Sequence, residues 1–437
     1  MDYFVKKLGN ADELFSKYSE YCGGAKPIDV SEFKEMSVED IAEVLDLTIK
    51  FDFTSKVITF LAMLLAYTED CQINVIFNAS SSTGKTYICS EVAKLFPSQD
   101  VRLYGKTTPN AFYYNENMME KDEKTGVFFI NLERRILIFS EQPDSKLLEN
   151  LRAFLSHDNK RTPFLITNKE SNRNTAKEGY LLGFSTTLFC SANMRLDEQE
   201  QTRSLILSPE TSSEKIRKSV EISIEKGSNK KAFNAWLEAN EARRQLMDRI
   251  CYIKSLNVDT IDIEDGDYLD KRFHESVYAE TPEIQRKIGH FMSLVKAMAL
   301  LNVHLRRVDD GRIVATNKDV DEAMKLWLVL NESAKYGVPP QLLDIYKRYI
   351  VPAYLAFNKG RAVERGITFQ EYARYYFKEV GKYPNIDMHK KCYLCTLEGA
   401  GLIRYEKSSE KDADHRNFLI TPLVFFGENL EEKPKQC

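Results

Sequence analysis

The stretch from Ile73 to Phe96 constrains this chain more than any other. Ile73-Asn74-Val75-Ile76-Phe77 is a β-branched, apolar run that reads as a buried strand. Asn78 to Thr83 are small and polar, and Gly84-Lys85-Thr86 opens a helix from Tyr87 to Phe96. A strand, a tight loop and a helix in that order gather unpaired backbone N–H groups at the positive end of a helix dipole, where an anion is held. The match to a phosphate-loop pattern covers Ala79, Ser80, Ser81, Ser82, Thr83, Gly84, Lys85, Thr86 and Tyr87. In that pattern Lys85 reaches the β and γ phosphate oxygens and Thr86 ligates Mg2+. The pattern ordinarily opens on glycine; Ala79 stands there, and its methyl fits where φ is negative.

A second element supplies a carboxylate. Arg134-Arg135 leads into the apolar strand Ile136-Leu137-Ile138-Phe139, which ends in Ser140-Glu141. Ligands of α/β sheets collect at the C-terminal ends of the strands, so Glu141 is the candidate for orienting and activating an attacking water. Ser140 stands where an aspartate that helps hold the metal is usual, and Asp144 is the nearest acidic alternative. Loop and carboxylate together lead us to expect an ATP hydrolase that uses ATP and Mg2+.

The rest of the chain sets the frame. With 437 residues and a hydrophobic share of 43%, it is long enough for several packed units. Strands at Ile73 to Phe77, Val127 to Ile130, Ile136 to Phe139 and Thr186 to Cys190 alternate with helical segments, which implies an α/β core with a largely parallel sheet. Before it, Ser37 caps a helix marked by Ile41, Val44, Leu45 and Ile49. After Pro209, Ser228-Asn229-Lys230-Lys231 reads as an exposed joint ahead of helices around Trp236 to Ile253 and Pro282 to Leu301. The expected divisions are a helical N-terminal region 1–54, an α/β core 55–215, a mostly helical region 216–340 and a compact C-terminal unit 341–437.

No run approaches the roughly 20 apolar residues of a membrane helix. The acidic start at Asp2 also lacks a signal peptide's basic lead, so we expect a cytoplasmic protein with no membrane partner. The 8 cysteines are scattered, as at Cys89, Cys190 and Cys251, which suits reduced, buried thiols. A formal net charge of −4 means that any contact with nucleic acid depends on local basic patches.

The order of motifs carries a resemblance. A third apolar strand ends in Phe189-Cys190-Ser191-Ala192-Asn193, and Arg203 precedes the apolar run Ser204-Leu205-Ile206-Leu207. From about residue 55 onward the chain resembles the AAA+ ATPases of the minichromosome maintenance helicase type. The resemblance implies that Asn193 positions water as a sensor and that Arg203 is an arginine finger acting on the neighbouring subunit. It also implies that 216–340 forms a helical lid in which Arg286 contacts nucleotide. Such helicases carry a β-hairpin before the sensor strand; here Lys169, Arg173 and Lys177 would meet single-stranded DNA in the central pore of a homo-oligomer, of six subunits by family. A solvated loop with Glu170 and Glu178 offsetting the charge is the competing reading of that segment.

The implied activity is that of a ring-forming, ATP-dependent DNA helicase or translocase for replication of a small replicon, of the compact kind carried by viruses, plasmids or integrating elements. The residues also suit a non-translocating AAA+ loader or switch, or a DNA-binding initiator or regulator with a weak ATPase.

At the C-terminal end, Thr368-Phe369-Gln370-Glu371 caps one helix, Ile386 to Glu398 forms another, and Leu402 to Tyr405 and Asn417 to Ile420 read as a strand pair. This order looks like a winged helix, a module that binds DNA or protein, with His389, Lys390, Lys391, Arg404 and Arg416 as candidate DNA contacts. His389, Cys392 and Cys395 have half of a metal site's spacing, but no second cysteine pair follows, so core packing is expected for them.

Overall fold

The structure, a computed structural model, describes residues 28–79, 81–105, 107, 112, 119–121, 127–141, 145–157, 159–170, 173–191, 203–277, 284–309, 312–336, 338, 340–361, 364–407 and 418–426. The fold is mixed α/β and divides into two compact units, Met1–Pro209 with Ile222–Leu328, and Glu210–Glu221 with Val329–Cys437. The segment expected as N-terminal region, the expected core up to Pro209 and most of the third region fall within the first unit. Among the described residues no helix is long and apolar enough to cross a membrane.

The first unit opens with α1 (Val38–Leu45), closed at its start by a capping box between Ser37 and Asp40. The helix stops at Leu45, and Ile49 is buried beyond its end, past a turn. Helix α2 (Phe53–Leu64) is buried along nearly its whole length, which explains its apolar sequence. It leads to β1 (Asn74–Asn78), then α3 (Lys85–Ala93), which begins two residues earlier and ends three earlier than the sequence pattern suggested.

The strands that follow are β2 (Val101–Tyr104), β3 (Met119–Lys121), β4 (Phe128–Asn131) and β5 (Ile136–Phe139). Helix α4 (Ser145–Leu155) comes next, then β6 (Arg161–Glu170), β7 (Arg173–Leu182), β8 (Thr186–Ser191) and β9 (Ser204–Leu207). Five of them form a parallel sheet in the order β2-β5-β8-β1-β9. Strands β5 and β8 are buried at every position, as expected where both faces of a parallel sheet are covered. The edge strand β2 had no clear signature, because Arg102 interrupts it and Leu103 is 58% exposed.

The Val127 to Ile130 segment does form a strand, but not in the parallel sheet. As β4 it joins a second sheet in the order β3-β4-β7-β6, with β6 and β7 paired antiparallel over ten positions. One apolar core includes Ile76, Leu137 and Phe139 of the first sheet, Leu147 and Phe154 of α4, and Ile130 and Leu181 of the second sheet.

The region after β9 is helical but not wholly so. Helices α5 (Ser213–Ser228) and α6 (Lys230–Ala239) break at Asn229, whose side chain caps α6 by accepting from the Ala232 N–H at 3.0 Å. After α7 (Glu241–Ser255), a small sheet of β10 (Ile261–Ile263), β11 (Val308–Asp309) and β12 (Arg312–Ala315) is interleaved with α8 (Gly266–Glu275) and α9 (Ile284–Leu301). Before α10 (Asn317–Lys335), the Thr316 N–H and hydroxyl both donate to Asp319, which is buried and paired with Arg306 at 2.6 Å.

The second unit packs a helical run, 340–358, against β13 (Ile367–Thr368), a helix Phe369–Val380, a helical run 386–399, and the pair β14 (Ile403–Lys407) and β15 (Phe418–Pro422). Its sheet order is β13-β15-β14, all antiparallel. A capping box joins Thr368 and Glu371, and Gly381 ends that helix at φ 77°, a left-handed backbone that favours glycine. His389 is buried with its Nδ1 2.9 Å from the Tyr372 hydroxyl, and burial pushes its pKa down to about 4. Cys392 and Cys395 differ from expectation: both are exposed, because His389, Leu394 and Leu397 take the inward positions of the same helical run. Lys390 and Lys391 are exposed, with Lys391 paired to Asp387 at 2.8 Å, and Arg416 lies outside the described residues.

Candidate functional site

The parallel sheet brings the chemistry-bearing residues to one edge. Strand β1 ends at Asn78 opposite Ser191 of β8, and Phe139 of β5 lies opposite Phe189 of β8. The turn after β1 and the Ser140-Glu141 turn after β5 therefore emerge at the same C-terminal edge with one strand between them. Two strand spacings separate them, about 10 Å, which leaves room for a phosphoryl group and a water.

The loop after β1 is shaped by two left-handed residues, Ser82 at φ 65° and Gly84 at φ 94°. A side chain at Gly84 would meet nothing within 4 Å, so the backbone angle and not crowding calls for glycine there. Ala79 is not among the residues with positive φ, which is the condition under which alanine fits, and its N–H donates to the Ser191 carbonyl at 3.4 Å. Ser80 lies outside the described residues, while Ser81 and Ser82 are exposed and Thr83 half-buried.

Lys85, the first residue of α3, is 8% exposed, and its Nζ donates to the Ala79 carbonyl at 2.8 Å. Burial lowers its pKa, since a charged amine is disfavoured away from water. The ammonium is thus tethered to the loop's own backbone, in position to exchange that carbonyl for an anion. Thr86 is exposed, with its hydroxyl 3.5 Å from the Ser140 carbonyl, so the first turn of α3 touches the end of β5. Tyr87 points elsewhere: its hydroxyl donates to the Thr48 carbonyl at 2.9 Å, and burial raises its pKa to about 12.

Glu141 is exposed to solvent at the sheet edge. The Ser140 hydroxyl does not face Thr86 but donates to the Tyr104 carbonyl at 3.2 Å. Among the described residues no group of three or more His, Cys, Asp and Glu side chains comes together. The donors at this edge, the Thr86 hydroxyl and the Glu141 carboxylate, suit Mg2+, which keeps most of its waters and needs few protein ligands.

The structure adds a pair that no local pattern announces. Cys89 of α3 and Cys190 of β8 are both buried with their sulfurs 3.6 Å apart, although 101 positions separate them in sequence. Burial pushes the Cys89 thiol well up, whereas Cys89 and the Thr86 hydroxyl hold the Cys190 thiol below its usual value. This contact fastens α3 to the strand between the two turns.

The remaining candidates lie apart from the loop or outside the described residues. Asn193 and Asp144 are outside them. Arg203 precedes β9, on the other side of β1, and its Nη1 is buried without a hydrogen-bond partner among the described residues. Its backbone is hydrogen-bonded to His290 of α9, whose pKa burial pushes down to about 4, aided by the nearby charges of His157 and Arg286. Arg203 and Arg286 are therefore gathered around one histidine. Along the hairpin, Lys169 pairs with Asn174, Arg173 with Glu170 and Lys177 with Ile166, all in its distal half.

No family model matches the chain, and no curated protein sequence matches it significantly.

Proposed function

We propose that this chain is an ATP-dependent, ring-forming DNA helicase or translocase for replication of a small replicon, resembling the AAA+ ATPases of the minichromosome maintenance type. The observation that carries the reading is the meeting of the Lys85 loop, the Thr86 hydroxyl and the Ser140-Glu141 turn at one edge of a parallel sheet. ATP is the substrate this edge suits. The loop amides and the N-terminus of α3 receive its phosphates, and the Lys85 ammonium moves from the Ala79 carbonyl to the γ-phosphate side. Mg2+ held near Thr86 would neutralise phosphate charge. Glu141 accepts the proton of the attacking water, with the water occupying the gap of two strand spacings.

By the same resemblance, Asn193 orients that water and Arg203 completes a neighbour's site, which makes turnover depend on assembly as a homo-oligomer, six subunits by family. The unpartnered Nη1 of Arg203 agrees with a guanidinium whose partner is supplied from elsewhere. The basic distal hairpin is assigned to single-stranded DNA. The second unit has the helix, strand, helix, helix, strand, strand order of a winged helix, with Lys390 and Lys391 on its exposed surface for DNA.

One observation favours a second reading, a non-translocating switch that hydrolyses ATP slowly. Ser140 replaces a carboxylate and spends its hydroxyl on Tyr104, leaving the metal side with fewer ligands. ATP turnover measured with and without single-stranded DNA separates the two. Turnover stimulated several-fold by DNA supports the translocase; nucleotide-dependent assembly with slow, DNA-indifferent turnover supports the switch. A protein that binds no ATP refutes both.

A further inference from the structure

The second sheet carries an aromatic surface on the side away from the core. Side chains alternate along a strand, so Ile130, Gly179, Leu181 and Phe164 share the inner face with the core, while Phe129, Tyr180, Pro163 and Leu165 fall on the outer one. Phe129, Tyr180 and Pro163 stand in one row across β4, β7 and β6. The Phe129 and Tyr180 rings are half-exposed and nearly parallel, with centroids 6.0 Å apart and an interplanar angle of 22°. Exposed Arg161 holds its guanidinium carbon 3.9 Å from the Tyr180 centroid and 6.0 Å from that of Phe129. Leu165, two positions beyond Pro163, is 75% exposed.

We propose that this face is a stacking platform for the bases of a single-stranded nucleic acid, with Phe129 taking a base and Arg161, posted by Tyr180, meeting the adjacent phosphate. Half-exposed aromatic rings have no folding role that requires them on a solvent face, whereas every nucleobase offers a π-face to such a ring. A cation resting on the rings opposes burial under an apolar protein partner, since an unpaired charge would have to be desolvated, but it complements a polyphosphate strand. The strands of this sheet carry Lys121, Arg161, Lys169, Arg173 and Lys177 against Glu120, Glu170 and Glu178, an excess of cations in a chain whose total charge is −4. Glu178 is engaged in accepting from the Tyr180 hydroxyl, which fixes the edge of that ring.

The inference rests on the proposed contact between the hairpin and single-stranded DNA, and it divides the labour: bases at the base of the hairpin, phosphates along its distal half. The test measures binding of the full chain to a labelled oligothymidylate and to an abasic strand of equal length, by fluorescence anisotropy across a salt series. Phe129→Ala is expected to weaken oligothymidylate binding at least fivefold, leave the abasic strand unaffected and keep the salt slope unchanged, because a neutral stack releases no counterions. Phe129→Trp restores affinity, and the melting temperature of each variant confirms the fold. Equal losses on both strands, or no loss on either, overturn the platform and leave the face to protein or solvent. Parent protein that binds both strands equally overturns it as well. ATP turnover that ignores DNA defeats the helicase reading alone, since these binding results do not depend on turnover.

Discussion

The two larger sheets of the first unit share a core and are built on different plans. The parallel sheet is covered on both faces, so β5 and β8 offer no side chain to solvent and polar chemistry is confined to the turns beyond their ends. The second sheet, in which β4 and β7 pair parallel and the outer pairs antiparallel, buries one face through Ile130 and Leu181 and leaves the other open, with Phe129, Tyr180 and Arg161 spread across it. A sheet sealed on both sides fixes a few groups tightly at one edge, which suits catalysis; a sheet sealed on one side displays many groups over an area, which suits recognition. Under the proposed function, changes at the parallel edge are expected to alter turnover, and changes on the second sheet to alter binding or stability.

The largest effect is expected at Lys85. Lys85→Ala removes the cation beside the loop after β1, and under the proposed function ATP kcat/KM is expected to fall about 1000-fold with much weaker binding of a fluorescent ATP analogue. A variant with parental turnover breaks the assignment of the edge. Glu141→Gln comes next. It keeps the shape of an exposed side chain and removes the base, so analogue binding is expected to persist while turnover drops about 100-fold. If that variant hydrolyses ATP normally, another carboxylate such as Asp144 does the work.

A smaller effect belongs to the hairpin. Lys169→Glu with Arg173→Glu reverses two charges in its distal half and is expected to lower single-strand affinity about tenfold. The salt slope should shrink by about 1.4, the loss of two phosphate contacts. An unchanged slope assigns the distal hairpin to a solvated loop and removes one half of the contrast.

Much of the candidate edge's local structure was legible because it is contained in short segments. A buried strand, a polar loop with Gly84 and Lys85, and an apolar run ending in Ser140-Glu141 are each contained in about ten consecutive residues. Their convergence was legible too, since parallel strands put their C-terminal ends on one side. What escaped was non-local or short. Val127 to Ile130 has the composition of a core strand, and nothing nearby says that its partners are β3 and β7 instead of β5. The three-residue β10 and two-residue β11 are below the length at which periodicity speaks. The Cys89–Cys190 contact spans 101 positions, and the outward setting of Cys392 and Cys395 depends on which side of their helix meets the core.

The smallest effect tests the inner face of the second sheet. Gly179 is buried, and a side-chain carbon there would come within 2.5 Å of the Phe164 ring on the paired strand. Its φ is not in the left-handed region, so a substitution is opposed by contact and not by backbone strain. Gly179→Ala therefore forces the Phe164 ring to shift, an overpacking cost of about 1 to 3 kcal/mol that should appear as a lowered melting temperature. Phe164→Leu alone should also destabilise, because it removes ring atoms from the edge of the core. Combined, the two changes remove and fill the same space, so the double variant should be more stable than the sum of the single losses implies. Neither single variant should alter the salt slope of DNA binding, since both act on the side away from Phe129 and Arg161. Additive losses would mean that Phe164 does not rest on Gly179. A changed salt slope would mean that the two faces are not independent, and the division between a structural and a recognition face would fail.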